Sequence, residues 1–439
     1  MERDIYKKHT FVCECGKIHS MPIDEIYIEE NALDRIKDAP IRLNLGRNVM
    51  VISDSVIMGL VGKTVLEKLN AAACRVNTLL FDVPIVPDEK RITKFLLEFP
   101  PDIDFFVAVG SGAVNDITRF FSYKLKKPYI SIPTAPSMDG YSAKVSLLFI
   151  NGIKQTFNAK YPCAIYADTQ LLKNAPRSLI LAGLGDLIAK ITACADWRIS
   201  SIINGEYFCS YTFNTVMSTL RRCIDSAVDS NMETPASIKT LMEGLTISGI
   251  AMHWVDMSRP AAGAEHHITH YWGMQAKAPQ HMHGIECAVG TVVMLRVYRQ
   301  LLQMDFQAID EDEAAGRVPT RAEWDEEIRN VFGENYSFII DQQKHKEFDP
   351  AKIRQRIIKI KQNEEAIKNV IRETLQYAEG LEDTLKYLKI PTKPSELSIS
   401  ADVFKDSLKW SKEVRNKYTV LDLSYDLGVI DQIIDTIDD

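Results

Sequence analysis

The stretch DFFVAVGSGAVNDITRF, residues 104–120, decides the fold. After Asp104, residues 105–109 form an apolar run without polar alternation, the pattern of a strand covered on both faces. Gly110, Ser111 and Gly112 interrupt that run, and from about Val114 the apolar residues recur at helical spacing. The same strand-then-helix unit recurs outward on both sides. Towards the N-terminus, VMVIS at 49–53 reads as a buried strand followed by a helix over about 58–73, and VNTLLF at 76–81 as a strand followed by a helix over 89–99. Towards the C-terminus, PYISIP at 128–133 reads as the next strand. Strands alternating with helices predict an α/β fold whose parallel sheet carries helices on both faces.

From about Asn174 the strand signal stops. Helical spacing dominates at 187–203, 208–228, 234–252 and 284–302, and 352–389 is a charged amphipathic region. The acidic stretch 310–315 reads as a solvated loop or helix end. The expectation is a Rossmann-like domain over 1–172 and an all-helical domain over 173–439, with ligands at the carboxyl ends of the strands.

A chain of 439 residues is too long for one ordinary core, and 46% hydrophobic with 25% charged residues is a globular composition. A net charge of -7 without a long basic run argues against a nucleic-acid partner. The N-terminal MERDIYKKHTF lacks the apolar core of a secretory signal, and no stretch reaches the roughly 18 uninterrupted apolar residues of a membrane span. Most of the eight cysteines are scattered singly, which suits reduced thiols. A cytoplasmic protein without a membrane partner is expected.

Three places carry chemistry. The Gly110–Gly112 turn, opening a helix, suits close approach of a phosphate to backbone N–H groups, although an ordinary strand-to-helix turn looks the same. Asp54, after the strand at 49–53, sits where a carboxylate accepts from a ribose or simply occupies an exposed turn. Asp116 either belongs to the helix start or orders the loop. PTAPSMDGYSA at 133–143 offers the Thr134 and Ser137 hydroxyls to a dinucleotide and Asp139 to a substrate hydroxyl; its plainer reading is a Pro/Gly loop.

The third place is a metal constellation. GLGDLIAKITACADW at 183–197 presents Asp186 at a helix start, with Lys190 one turn on. SRPAAGAEHHITHYWGM at 258–274 sets His266 and His270 at i, i+4 on one helical face, with His267 about 100° away. HMHGIECAVG at 281–290 adds His283. One carboxylate and two imidazoles suit a catalytic divalent ion with room for substrate. Each histidine alone has a plainer reading as a core or capping residue, but His253, His266, His267, His270, His281 and His283 are six of the chain's nine. His281 rivals His283, and Asp196 rivals Asp186. CECGKIH at 13–19 supplies Cys13, Cys15 and His19 without a matching second half, and reads as a β-hairpin with a glycine turn.

These motifs, GSGAVND, PTAPSMDGYSA, GLGDLIAK with its trailing DW, and SRPAAGAEHHITH before HG, occur in the order found in sn-glycerol-1-phosphate dehydrogenases. The chain resembles that family over about 54–290. The family lies in the superfamily of dehydroquinate synthase and the iron-dependent alcohol dehydrogenases, and the tail after Met304 looks like its longer bacterial-type members. The resemblance implies that Asp54, Gly110, Ser111, Gly112, Ala113, Val114, Thr134, Ser137 and Ala143 bind NAD or NADP. It implies that Asp186, His266 and His283 hold one divalent ion, Zn2+, Ni2+ or Fe2+. Asp139, Asp186 and His270 would be the catalytic and substrate-contacting residues. Two departures stand out: Ser111 replaces the middle glycine of the usual GGG, and Ala143 replaces a serine, with Ser142 just before it.

The implied reaction interconverts dihydroxyacetone phosphate and sn-glycerol 1-phosphate, serving phospholipid metabolism, with Lys190 and Arg259 as candidate phosphate cations. A homodimer or larger homo-oligomer is expected. The rivals are a dehydroquinate synthase-like cyclase, an iron-type polyol dehydrogenase and a non-enzymatic metal-binding protein. The first usually carries Glu where this chain has Asp186, and lacks the SRPAAGAEHHITH run.

Overall fold

The computed structural model describes residues 10–150, 153–275 and 281–437. Six strands form one parallel sheet: β3 (Glu25–Glu29), β4 (Asn48–Asp54), β5 (Arg75–Phe81), β6 (Phe105–Gly110), β7 (Tyr129–Pro133) and β10 (Ala164–Asp168). Their order is β3-β10-β7-β6-β4-β5, and every pairing is parallel. Two antiparallel hairpins stand apart from it, β1 (Thr10–Val12) with β2 (Ile18–Ser20) and β8 (Val145–Ile150) with β9 (Ile153–Asn158).

Alternation along β4 shows why the sheet needs helices on both faces. Val49 and Val51 point into one core with Val65 and Leu69 of α1 (Lys63–Ala71). Met50 and Ile52 point into the other with Phe95 of α2 (Glu89–Glu98) and Ile117 and Phe121 of α3 (Gly112–Lys124). All four β4 side chains are 0–1% exposed, so each contributes roughly 1.5–3 kcal/mol of burial.

The chain divides into two compact units. The first holds the described residues up to Leu187 together with Asn214–Met257; the second holds Ile188–Phe213 and the described residues from Ser258 onward. The division differs from the expected 1–172 and 173–439. The sheet-bearing unit also contains most of α4 (Arg177–Ile188), most of α6 (Ser210–Ser230) and all of α7 (Pro235–Val255). A helix reads the same in sequence whichever core receives its apolar face, so periodicity could not assign these. α7 packs on the first unit's 133–143 loop, described below.

In the second unit, α5 (Lys190–Asn204), α8 (Ala264–Met274) and α9 (His283–Gln303) share one large core with the C-terminal helices. The region 352–389 forms three helices, Pro350–Gln362, Glu364–Tyr377 and Leu381–Tyr387. Their inward residues Ile353, Ile357 and Ile360, then Ile367, Val370 and Ile371, keep the 3- and 4-residue spacing of a buried stripe. The acidic stretch is the start of a short helix, Glu311–Gly316, whose cap Asp310 accepts from the N–H groups of Asp312 and Glu313. One described stretch, Arg177–Asn204, is long and apolar enough to cross a membrane, and 89% of its apolar window is buried in the protein.

Candidate active site

The parallel sheet positions one group of candidate residues. β4 pairs with β5 on one side and β6 on the other, so the chain reverses its direction of travel across the sheet between β4 and β6. Helices leave in opposite directions at such a point, and a crevice opens beyond the strand ends. Asp54 and Gly110 end these two strands, and Pro133 pairs with Gly110. Asp54, Gly110 to Val114 and Thr134 therefore lie at or just beyond the carboxyl ends of neighbouring strands of one sheet.

Locally the turn is built for close approach. A Cβ on Gly110 would lie 2.7 Å from Cγ2 of Val114, and one on Gly112 2.5 Å from Sδ of Met138. Ser111 is the N-cap of α3 with φ -74 and ψ -177, an ordinary extended conformation, so serine replaces the usual glycine without strain. Gly112, Ala113 and Val114 form the first turn of α3, where N–H groups lack intrahelical partners. Asp54 is 5% exposed, which removes the exposed-turn reading; its Oδ1 accepts from the Ile57 N–H at 2.7 Å.

The loop after β7 is clamped from three directions within the same unit. The fully buried Arg119 of α3 donates to the carbonyls of Gly140 and Val145, and lies 3.5 Å from Asp116. Asp116 thus acts on the loop through Arg119. From α4, Gly183 lets the helix touch the loop: a Cβ there would sit 1.8 Å from the Pro136 carbonyl oxygen. From α7, a Cβ on Gly249 would sit 2.1 Å from Ser142 Oγ. Ser142 donates to the Thr246 carbonyl at 2.8 Å, so its hydroxyl does not replace the one missing at the buried Ala143. Thr134 is buried and Ser137 half-buried.

Asp139 and Asp186 meet in this unit. The Asp139 N–H donates to Asp186 Oδ2 at 2.9 Å, and Ser248 Oγ donates to Asp139 Oδ2 at 2.8 Å. Asp186 is 2% exposed.

The second unit assembles the histidines. The rings of His266 and His283 are 5.2 Å apart, and those of His270 and His283 6.0 Å. Ligand atoms of His266, His283 and Cys287 all lie within 4.8 Å of one another. Cys287 is one turn after His283 on α9, with Sγ 3.6 Å from His283 Nε2. That i, i+4 spacing is the sequence signal that marks Cys287 as a neighbour of His283. His281 is exposed and its Nε2 lies 2.8 Å from the Leu397 carbonyl. Of the two rivals, His283 is the one beside His266.

Glu265 orients the first imidazole. Fully buried, it lies 2.8 Å from His266 Nδ1 and accepts from the Gly263 N–H at 2.7 Å and the Thr192 hydroxyl at 2.8 Å. A carboxylate only accepts, so Nδ1 carries the proton and Nε2 keeps its lone pair for an ion. Burial pushes Glu265 upward, but the hydrogen bonds from His266, Gly263 and Thr192 outweigh it and hold the carboxyl below its usual range.

Asp196 has a different task. Buried in the second unit, it accepts from the Tyr298 hydroxyl at 2.6 Å and from the N–H groups of Ala264 and Val420 at 2.8 Å each, so it anchors the start of α8. His267 is buried, and burial lowers its pKa well below the ordinary value. Arg259 is committed by two bonds to Glu206 at 2.7 and 2.6 Å and by one to the Tyr418 carbonyl at 2.8 Å, so it is not available to a substrate phosphate. Lys190 is fully buried at the start of α5.

The architecture defines the class. A family model described as iron-containing alcohol dehydrogenase matches residues 27–176. The solved iron-containing alcohol dehydrogenase of Thermococcus thioreducens superposes with a TM-score of 0.59 over 95% of this chain and 100% of that one, at 17% identity, a likeness of fold. Glycerol-1-phosphate dehydrogenase [NAD(P)+] of Geobacillus thermodenitrificans is 36% identical over 296 residues, 66% of this chain and 73% of that protein. The Bacillus subtilis enzyme of the same name is 35% identical over 290 residues, 64% of this chain and 73% of its own length. The chain belongs to the glycerol-1-phosphate dehydrogenase family.

Proposed function

We propose that the chain is an NAD(P)-dependent sn-glycerol-1-phosphate dehydrogenase that uses one divalent ion. The reaction is dihydroxyacetone phosphate + NAD(P)H + H+ ⇌ sn-glycerol 1-phosphate + NAD(P)+. The observation that carries this reading is the His266–His283 pair with Glu265 hydrogen-bonded behind His266. Our proposal takes Asp186 as the third donor, and Zn2+ or Ni2+ as the ion, because imidazoles with a thiol nearby at Cys287 suit borderline ions. A bound nicotinamide would supply hydride exchange at the substrate C2 carbon, and an ion held by these residues would supply Lewis acidity at the C2 oxygen.

The chain's own residues do the rest. The N–H groups of Ser111 to Val114 take the pyrophosphate at the α3 N-terminus, where the helix dipole favours negative charge. Asp54 takes the ribose, and Thr134 and Ser137 the nicotinamide side. Asp139, steadied by Ser248, receives a substrate hydroxyl. His270 holds or passes the proton of the reacting hydroxyl. We place the enzyme in the cytoplasm as a homo-oligomer serving phospholipid synthesis.

The test is NADH and NADPH absorbance with dihydroxyacetone phosphate, against glycerol and unphosphorylated dihydroxyacetone, with metal analysis of the same samples. Turnover of the phosphorylated substrate is expected, and His266→Ala should lose metal and turnover together. Undiminished turnover in metal-free protein, or a preference for glycerol, would overturn the proposal.

A further inference from the structure

We propose that the N-terminal hairpin is a second metal site, in which Cys13, Cys15 and His19 bind a thiophilic divalent ion, zinc foremost. The hairpin reading of CECGKIH and the metal reading are not alternatives, because the hairpin is what brings the donors together. β1 and β2 pair in register Phe11↔His19 and Val12↔Ile18. The turn closes through Cys13 N–H to the Lys17 carbonyl at 2.9 Å and Gly16 N–H to the Cys13 carbonyl at 3.0 Å. Gly16, at φ +85, takes the left-handed conformation this turn requires.

Cys15 Sγ lies 3.5 Å from His19 Nε2, and the ligand atoms of Cys13, Cys15 and His19 all lie within 4.8 Å of one another. With Zn–S of about 2.3 Å and Zn–N of about 2.0 Å, neighbouring ligand atoms in a tetrahedral shell stand roughly 3.5 Å apart. The spacing already suits an ion. His19 is 0% and Cys13 7% exposed, so the cluster is not a chance surface grouping. The His19 ring is held by Phe11, edge-on at 5.5 Å, and by Trp254 of α7 at 5.9 Å, which fixes the direction of its nitrogens.

Two strands of three residues do not hold a hairpin in water without further support. Besides those ring contacts, Ser20 Oγ lies 3.1 Å from Nε2 of His253, also on α7. An ion would cross-link the turn and the second strand of the hairpin, which rests against α7, the helix that carries Ser248 and Gly249 against the 133–143 loop. On binding, two S–H bonds give way to two S–metal bonds and the protons pass to buffer, with no change of oxidation state. None of these donors belongs to the proposed active site.

The test uses the full-length protein in the His266→Ala background, which removes the other metal set. This chain should bind about one cobalt ion with thiolate-to-cobalt absorption, and adding Cys13→Ser and Cys15→Ser should abolish both. A second measurement does not depend on the folding of variants. In the unaltered protein, zinc should protect Cys13 and Cys15 from alkylation, read by peptide mass spectrometry, and a chelator should expose them. Absence of thiolate-bound cobalt in the His266→Ala chain, or equal alkylation with and without zinc, would overturn the proposal. Neither readout depends on the chain's catalytic activity.

Discussion

Glu265→Gln isolates the orientation of His266 from its identity. Glutamine keeps the shape: its carbonyl can accept from His266 Nδ1 and the Gly263 N–H, now at 2.8 and 2.7 Å, while its amide donates to Thr192. What disappears is the negative charge behind the imidazole, and charge-assisted bonds are about twice as strong as neutral ones. Replacing such a partner typically weakens metal binding about 10–100-fold, or roughly 1.4–2.8 kcal/mol. Because the bonds survive, the expected loss is near the low end, about tenfold. Glu265→Ala should approach 100-fold and also destabilise the metal-free protein, since the Gly263 N–H and Thr192 hydroxyl are left buried at about 1–3 kcal/mol each. Zinc competition against a chromogenic chelator measures the affinity, and thermal melting of the metal-free form measures the second effect. Wild-type affinity in Glu265→Gln, alongside lost binding in His266→Ala, would refute the orientation argument. The pH sign follows: the depressed carboxyl contributes above the ordinary carboxylate range, and its contribution fades as pH falls through the lower folded value.

Gly183→Ala pushes a methyl against the Pro136 carbonyl, backbone that cannot step aside, and should lower stability by about 1–3 kcal/mol and raise the cofactor KM, checked by melting and initial rates. His283→Ala should lose the active-site ion while His281→Ala retains it, as metal analysis of the two proteins will tell. Burial lowers the Lys417 amine to about 7, while its Nζ donates to Ser258 Oγ at 2.7 Å. A folded pKa below the unfolded one means that the unfolded chain binds more protons between pH 7 and about 10.5. Wild type should therefore gain stability relative to Lys417→Met as pH rises through that window, in paired denaturation curves at pH 6 and 9.

Periodicity sufficed for β4, β5, β6 and β7 and the helices between them, because strands in a helix-covered parallel sheet are largely apolar. It does not mark β3, whose Glu25 and Glu29 flank only three apolar residues, nor β10, a short AIYAD segment just before the expected boundary at 172/173. Histidine clustering singled out the metal region. Residue spacing, by contrast, marks neither Glu265, in the first turn of α8, nor Arg119, within α3, for a role at the site.

The sequence by itself determined the alternation of strand and helix, the glycine turn after β6 and the set of candidate ligands, since these depend on neighbours along the chain. Only the tertiary structure decided that His283 rather than His281 stands beside His266, that Asp196 anchors a helix, and that Gly183 and Gly249 seat the 133–143 loop. Those outcomes depend on atoms brought within a few ångströms from distant parts of the chain, and residue spacing carries no record of such distances.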